Sequence, residues 1–376
     1  LQRGEPALID KWARAEMALA AGVDLVLELP FTFACNSAPH FARGAVQSLN
    51  GLGVVDTLCF GSEAGEVSSL QPVAQLLVEH AADIDSGTRQ LLRNGVSYPA
   101  ARAEVLSAMA PEVSAELVSS PNNILGIEYL KALLETSSPI EAFTILRRGA
   151  GYHSTDVTSP IASATGIRKR LSEGGTVGEF VPEACRHILS QALDRGRSLD
   201  HDRLFSSLQA FLLQEMETLS GIYQVEEGLA QRLVDAAMTA TSYADLTDAI
   251  NSRQWTLTRI QRILSYVLLQ VSSVEMNSFL ECGPLYLRLL GATKTGRQVL
   301  ADSRKKRSLP VISDPARAQA VLRRFYSGRK DLGCLAEKML ACDLRATRLY
   351  GLLQKNPVQG HRNQDFFREC LGLGKG

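Results

Sequence analysis

Three short apolar runs, LVLEL at 25–29, VVDTLCF at 54–60 and IEAFTIL at 140–146, are separated by stretches of helical periodicity. That alternation constrains the fold more than any other feature of the chain. Apolar strands alternating with helices specify a parallel sheet covered by helices. Leu8, Trp12, Ala15 and Leu19 recur at helical spacing, with Gly22 placed to end that helix. Pro30 stops the first apolar run. Further helices are expected over 39–50, in segments across 69–110 and over 122–135, with a tight turn at Gly61 and Ser62. From about residue 177 the pattern becomes helices only. It is clearest at 255–269, where Ile260, Ile263, Leu264, Val267 and Leu268 form one apolar stripe. A chain of 376 residues suits about two domains. The stretch EGGTVG at 173–178 marks the expected boundary, giving domains 1–176 and 177–376.

Composition excludes several classes. Hydrophobic residues make up 45% and charged residues 21%, ordinary values for a globular protein. No apolar run approaches the ~18 residues needed to span a bilayer, so no membrane partner is expected. Nothing at the start of the chain reads as a signal peptide. The seven cysteines are scattered, odd in number and form no CxxC pair, which argues against a disulfide framework or a zinc site. The expectation is a reduced, cytoplasmic protein. Charge is unevenly spread. Residues 1–176 carry 13 Lys and Arg against 19 Asp and Glu, and the remainder carries 27 against 21. Residues 288–330 alone hold twelve basic residues and two acidic ones, Asp302 and Asp314. Such a stretch points to a polyanionic partner.

Three stretches of the first domain suit a nucleotide. SPNNILGIEYL sets Asn122 and Asn123 just before an amphipathic helix, as a cap or as an amide and helix start facing a phosphate or ribose. TILRRGAGYH puts Arg147 and Arg148 at the carboxyl end of an expected strand, where α/β sheets bind ligands, ahead of His153. IASATGIRKRL gives Ser163 and Thr165 at a helix start, followed by Arg168, Lys169 and Arg170. Hydroxyls and N–H groups there, with cations one turn on, suit the phosphates of ATP. Taken singly each is as well explained by a cap or a solvated face; their order along one α/β domain favours a nucleotide site. In the basic run, Arg304-Lys305-Lys306-Arg307 are consecutive, and Tyr286, Phe325 and Tyr326 lie among the charges, able to stack on unpaired bases.

Read in order, these motifs resemble the tRNA(Met) cytidine acetate ligase family. The matching stretches are LQRGEPALIDKW (1–12), AGVDLVLELPF (21–31), FGSEAG (60–65), SPNNILGIEYL (120–130) and RRGAGYH (147–153). ASATGIRK (162–169), WTLTRIQRIL (255–264) and LRLLGATKTGRQVL (287–300) continue the match. The resemblance implies an α/β fold: a Rossmann-like nucleotidyltransferase parallel sheet that binds ATP, then an all-helical domain that grips tRNA. It further implies that acetate is activated by ATP, with Mg²⁺, to acetyl-adenylate and pyrophosphate. The acetyl group then passes to N4 of the wobble cytidine of elongator tRNA(Met). Carried over by motif, Gly61, Asn122, Asn123, Arg147 and Arg148 are expected to contact ATP, with Ser163, Thr165 and Arg168 at a phosphate-binding helix start. Arg259, Arg262, Lys294, Arg304, Lys305, Lys306 and Arg307 are the expected tRNA contacts.

One departure bears on activity. Family members begin with a strand and an HxGH-type loop whose histidines meet the ATP phosphates, and no HxGH occurs in this sequence. The match starts mid-motif at LQRGEPA, so the expectation is an N-terminally truncated chain whose sheet lacks its first strand. Its catalytic residues cannot be named, and as it stands it is expected to bind ATP poorly and to be inactive. Two rivals are another adenylyltransferase of the superfamily and a non-catalytic RNA-binding protein.

Overall fold

The computed structural model describes residues 4–372 except 112, 148–161, 214–215, 253–254 and 358–361. Along the chain run α1 (Lys11–Ala20), β1 (Leu25–Glu28), α2 (Phe31–Ala34) and α3 (Ala38–Leu52). Next come β2 (Thr57–Ser62), α4 (Val67–Glu79), α5 (Ala81–Arg93), α6 (Tyr98–Met109), α7 (Ala115–Ser119) and α8 (Pro121–Glu135). β3 (Glu141–Leu146), α9 (Ala164–Ser172), α10 (Glu183–Asp194), α11 (His201–Leu212), α12 (Met216–Ser220), α13 (Glu227–Thr239) and α14 (Tyr243–Ile250) follow. The chain continues through α15 (Leu257–Leu269), α16 (Ser273–Cys282), β4 (Leu287–Ala292), α17 (Lys294–Ser303) and β5 (Val311–Ile312). It closes with α18 (Pro315–Phe325), α19 (Lys330–Leu352) and α20 (Gln364–Phe367). These elements fold into two compact units, one of residues 55–187 and one of residues 1–54 with 188–376.

In the unit 55–187, β2 and β3 pair in parallel, from Thr57 opposite Glu141 to Ser62 opposite Leu146. Alternation decides which face is covered. Phe60 and Ala142 turn inward onto a core of Leu70, Val73, Ala74 and Leu77 from α4 and Ile127 and Leu130 from α8. The opposite face carries Cys59, Phe143 and Ile145, all exposed, the last two to 57% each. A buried ion pair inside the helical layer, Arg102 to Glu128 at 2.5 Å, ties α6 to α8.

The other unit is built around α15. Ile260, Ile263, Leu264, Val267 and Leu268, the stripe expected from sequence, are all buried, as are Tyr266 and Leu269. They share a core with Phe31 and Phe33 of α2, Leu204, Leu208 and Leu212 of α11, Leu229 and Leu233 of α13 and Met339 of α19. Beside it lies a three-stranded sheet in the order β1-β4-β5. Its middle strand carries Arg288, 1% exposed, whose Nη2 lies 3.2 Å from Asp365 Oδ1. Lys11 Nζ bridges the same carboxylate and Glu28, both at 2.8 Å. Arg288 therefore belongs to an internal charge network and not to the surface of the basic run.

Two expectations need correction. Residues 25–29 do not join the sheet of β2 and β3; β1 pairs antiparallel with β4, Leu25 opposite Ala292 and Glu28 opposite Arg288. The region after 177 is also not helical throughout, because it contains β4 and β5. All six residues of β4 are buried, so LRLLGA shows no alternation, and a continuous apolar run of that length cannot be told from a buried helix by its period. The compact units accordingly differ from the division at 176/177: pairing with β4 draws the first 54 residues to the C-terminal part, and the other unit runs on to residue 187.

Candidate functional site

β2 and β3 end side by side, and the residues just beyond them are tied together by short-range hydrogen bonds. Ser62 Oγ and Thr144 Oγ1 lie 2.8 Å apart, Gly65 N donates to Ser62 Oγ at 3.0 Å, and Arg147 N donates to Ser62 O at 3.0 Å. These bonds set the course of both chains as they leave the sheet. A Cβ built on Gly61 would stand 3.2 Å from Arg147 Cγ. The missing side chain is what lets the arginine stem lie across β2. Arg147 is exposed, so its guanidinium remains open to a ligand.

The start of α8 is held to the same loop. Pro121 occupies its first turn, and the cap position is Ser120, whose side chain makes no capping bond. Glu63 supplies the cap from a distance. Its Oε2 accepts from Asn123 N at 2.7 Å, and its Oε1 accepts from Asn122 N at 3.3 Å and from Asn122 Nδ2 at 2.6 Å. In return Asn123 Oδ1 accepts from Ala64 N at 2.9 Å. Neither asparagine is the N-cap, which corrects the capping reading. The helix start is also not an open anion site, because a carboxylate already satisfies two of its orphan N–H groups. Glu63 was missed in the sequence. Its signal is the position two residues after Gly61 in FGSEAG, where an acid follows directly on a strand end.

Gly61, Asn122, Asn123 and Arg147 are thus gathered at the carboxyl ends of β2 and β3 by Glu63 and Ser62. Arg148 and His153 lie outside the described residues. Ser163, on the far side of that segment in sequence, caps α9 by accepting from Gly166 N at 3.0 Å. Thr165, Arg168 and Lys169 are exposed on that helix, whereas Arg170 turns back to Thr176 O at 2.7 Å. Among the described residues no group of three His, Cys, Asp or Glu side chains is placed to hold a metal ion. Both Glu63 oxygens are engaged with α8, so the described residues offer no protein cage for Mg²⁺ here, and no step below runs through one.

The basic residues of the other unit divide by environment. Lys294, Arg304, Lys305 and Lys306 are exposed. The Arg304–Arg307 turn is pinned beside α3, where Ser308 N donates to Gly51 O at 2.9 Å. Gly53 adopts φ +76° there, and a Cβ on it would come within 2.6 Å of Lys306 O. Arg307 is half-buried. Arg259 is paired with Glu226 at 2.8 Å, and Arg262 is half-buried with its Nε enclosed. Of the three aromatic candidates, Tyr286 is fully buried and donates to Asp343, which rules it out for stacking on a base. Tyr326 is half-buried with its hydroxyl on Leu285 O at 2.8 Å, and Phe325 is exposed. No helix among the described residues is long and apolar enough to cross a membrane.

Known proteins place this arrangement. Residues 1–365 match the family model described as HIGH Nucleotidyl Transferase. A relative from Syntrophotalea carbinolica named tRNA(Met) cytidine acetate ligase is 50% identical, covering 99% of this chain and 89% of the relative. One of the same name from Acetivibrio thermocellus is 38% identical, covering 99% and 90%. The solved apo structure of Thermotoga maritima TmcAL superposes with a TM-score of 0.88 at 34% identity, covering 98% of this chain and 89% of that one. The structure of the same protein bound with alpha-thio ATP superposes at 0.87 and 33% identity, with the same coverage. With the mixed α/β architecture, the loops at the ends of β2 and β3 and these similarities in hand, the chain belongs to the HIGH nucleotidyl transferases and, among them, to the tRNA(Met) cytidine acetate ligase family.

Proposed function

We propose that this protein activates acetate with ATP and transfers the acetyl group to N4 of the wobble cytidine of elongator tRNA(Met). The observation that carries the reading is the gathering of Gly61, Asn122, Asn123 and Arg147 at the ends of two parallel strands, in a chain whose relatives bear that enzyme's name. The similar Thermotoga maritima protein bound with alpha-thio ATP supports the nucleotide half. Acetate is a poor acyl donor. An acetate oxygen attacks the α-phosphorus, pyrophosphate leaves, and the carboxyl carbon then carries AMP as a leaving group. The exocyclic amine attacks that carbon, the bond to AMP breaks, and the amine sheds a proton. Arg147 meets the charge on the phosphates through its guanidinium, an interaction that gains strength as charge builds in the transition state. Ser163, Thr165 and Arg168 at the start of α9 serve the distal phosphates.

The unit 55–187 is the nucleotide-binding part in this reading, and the other unit carries the tRNA contacts. Lys294, Arg304, Lys305 and Lys306 are the exposed cations that suit tRNA phosphates, while Arg259, Arg262 and Arg307 contribute less, being paired or half-buried. The seven cysteines form no disulfide, which fits a reducing cytoplasm. The test is incubation of the protein expressed from its gene with ATP, labelled acetate and tRNA(Met). Label in the wobble cytidine, with AMP and pyrophosphate released, supports the proposal. ATP consumption without labelled tRNA would point instead to an adenylyltransferase with another acceptor.

A further inference from the structure

Glu63 fixes what the start of α8 can bind. Its carboxylate takes the N–H groups of Asn122 and Asn123, at 3.3 and 2.7 Å, and so neutralises the positive end of the helix. A phosphate brought there would meet a negative side chain in place of open donors. The same carboxylate orients the Asn122 amide. Nδ2 donates to Glu63 Oε1 at 2.6 Å, and the reverse orientation would set a carbonyl oxygen against a carboxylate. The atom left over is Oδ1, an acceptor with no hydrogen-bond partner among the described residues, on a side chain only 6% exposed. That atom is free to take a hydrogen bond from a donor on a bound molecule. A phosphate oxygen at neutral pH cannot donate. The nucleoside can, through the adenine amino group or a ribose hydroxyl.

We propose that Glu63 is a positioning residue that holds Asn122 Oδ1 as the acceptor for a hydrogen-bond donor on the nucleoside part of ATP, and that it bars phosphates from the start of α8. The assignment rests on the nucleotide reading above and adds an orientation to it: nucleoside at α8, phosphates towards Arg147 and α9. It also separates two roles that share one loop. Glu63 acts through Asn122 and touches no ligand itself.

Equilibrium binding tests this with the protein expressed from its gene, its Asn122→Ala and Glu63→Ala variants, and four probes: ATP, tripolyphosphate, inosine triphosphate and 2′,3′-dideoxy-ATP. Asn122→Ala retains both backbone bonds to Glu63, so the helix stays capped when the acceptor is gone. Both variants are expected to bind ATP about tenfold more weakly, while tripolyphosphate binding is unchanged in Asn122→Ala and tighter in Glu63→Ala, where the helix start is opened to anions. If the amino group is the donor, inosine triphosphate binding is indifferent to Asn122→Ala. If a ribose hydroxyl is the donor, dideoxy-ATP shows that indifference. The proposal is overturned if tripolyphosphate weakens as much as ATP, if Glu63→Ala binds ATP as wild type does, or if both analogues lose tenfold in Asn122→Ala. Wild-type protein that binds no ATP at all would overturn the nucleotide reading, and this assignment with it.

Discussion

Arg197 holds Asp10 through two hydrogen bonds, Nε to Oδ2 at 2.6 Å and Nη2 to Oδ1 at 2.8 Å, with both residues buried. Asp10 also caps α1 by accepting from Trp12 N and Ala13 N at 3.0 and 2.9 Å. One carboxylate thus joins the first helix to residues beyond 188. Arg197→Ala leaves that carboxylate buried without its partner and is expected to lower stability by about 3–5 kcal/mol. In a denaturant-unfolding cycle with Asp10→Asn, the double variant should cost clearly less than the two single costs added together. Additive costs would show that the pair is not coupled.

Asp343 gives a pH signature. Burial, with Glu28 nearby, pushes its carboxyl up to about 7, although it accepts from Phe31 N at 2.7 Å and from Tyr286. The folded protein then holds a proton that the unfolded chain releases near pH 4, so Asp343 contributes stability that is present below pH 4 and lost as pH rises to about 7. Asp343→Asn keeps an acceptor for Phe31 and does not titrate. The stability of wild type relative to this variant should fall from pH 4.5 to pH 7, by at most about 1.4 kcal/mol per pH unit. A constant difference across that range would show that the carboxyl is ordinary.

Gly61 and Arg147 allow geometry to be separated from stability. An alanine Cβ at 61 presses on Arg147 Cγ at 3.2 Å, and this exposed, flexible side chain can give way. Gly61→Ala is therefore expected to change stability by less than about 0.5 kcal/mol. The displaced guanidinium should nonetheless weaken ATP binding severalfold. Thermal unfolding and ATP titration of the same preparation check both halves.

Salt dependence sorts the basic residues. Lys305→Ala and Lys306→Ala remove exposed cations, and each should weaken tRNA binding and reduce the slope of log affinity against log salt by about 0.7–0.9. Arg259→Ala, whose guanidinium is already paired with Glu226, should leave that slope nearly unchanged. Equal slopes in all three variants would move the tRNA surface elsewhere.

Much of this was legible in the sequence because local pattern and tertiary role agreed. The stripe from Ile260 to Leu268 reads as one helix face and is buried as one. Gly61, Asn122 and Arg147 stand at strand and helix ends where the pattern changes period, and they do come together. What stayed hidden depended on partners distant in sequence. Nothing in LRLLGA announces that it pairs with residues 25–28, since a strand buried on both faces shows no alternation. Tyr286 among basic residues looked like a stacking platform, and only its bond to Asp343, more than fifty residues on, reveals a core residue. The role of Glu63 depends on a helix some sixty residues later.

The most direct measurement is the fate of labelled acetate when the protein expressed from its gene meets ATP and tRNA(Met), beside its Arg147→Ala variant. The account predicts label on N4 of the wobble cytidine with stoichiometric AMP and pyrophosphate, lowered at least about tenfold in the variant by loss of a charge-assisted phosphate contact. Tight binding of tRNA with no turnover of ATP would contradict it and leave an RNA-binding protein.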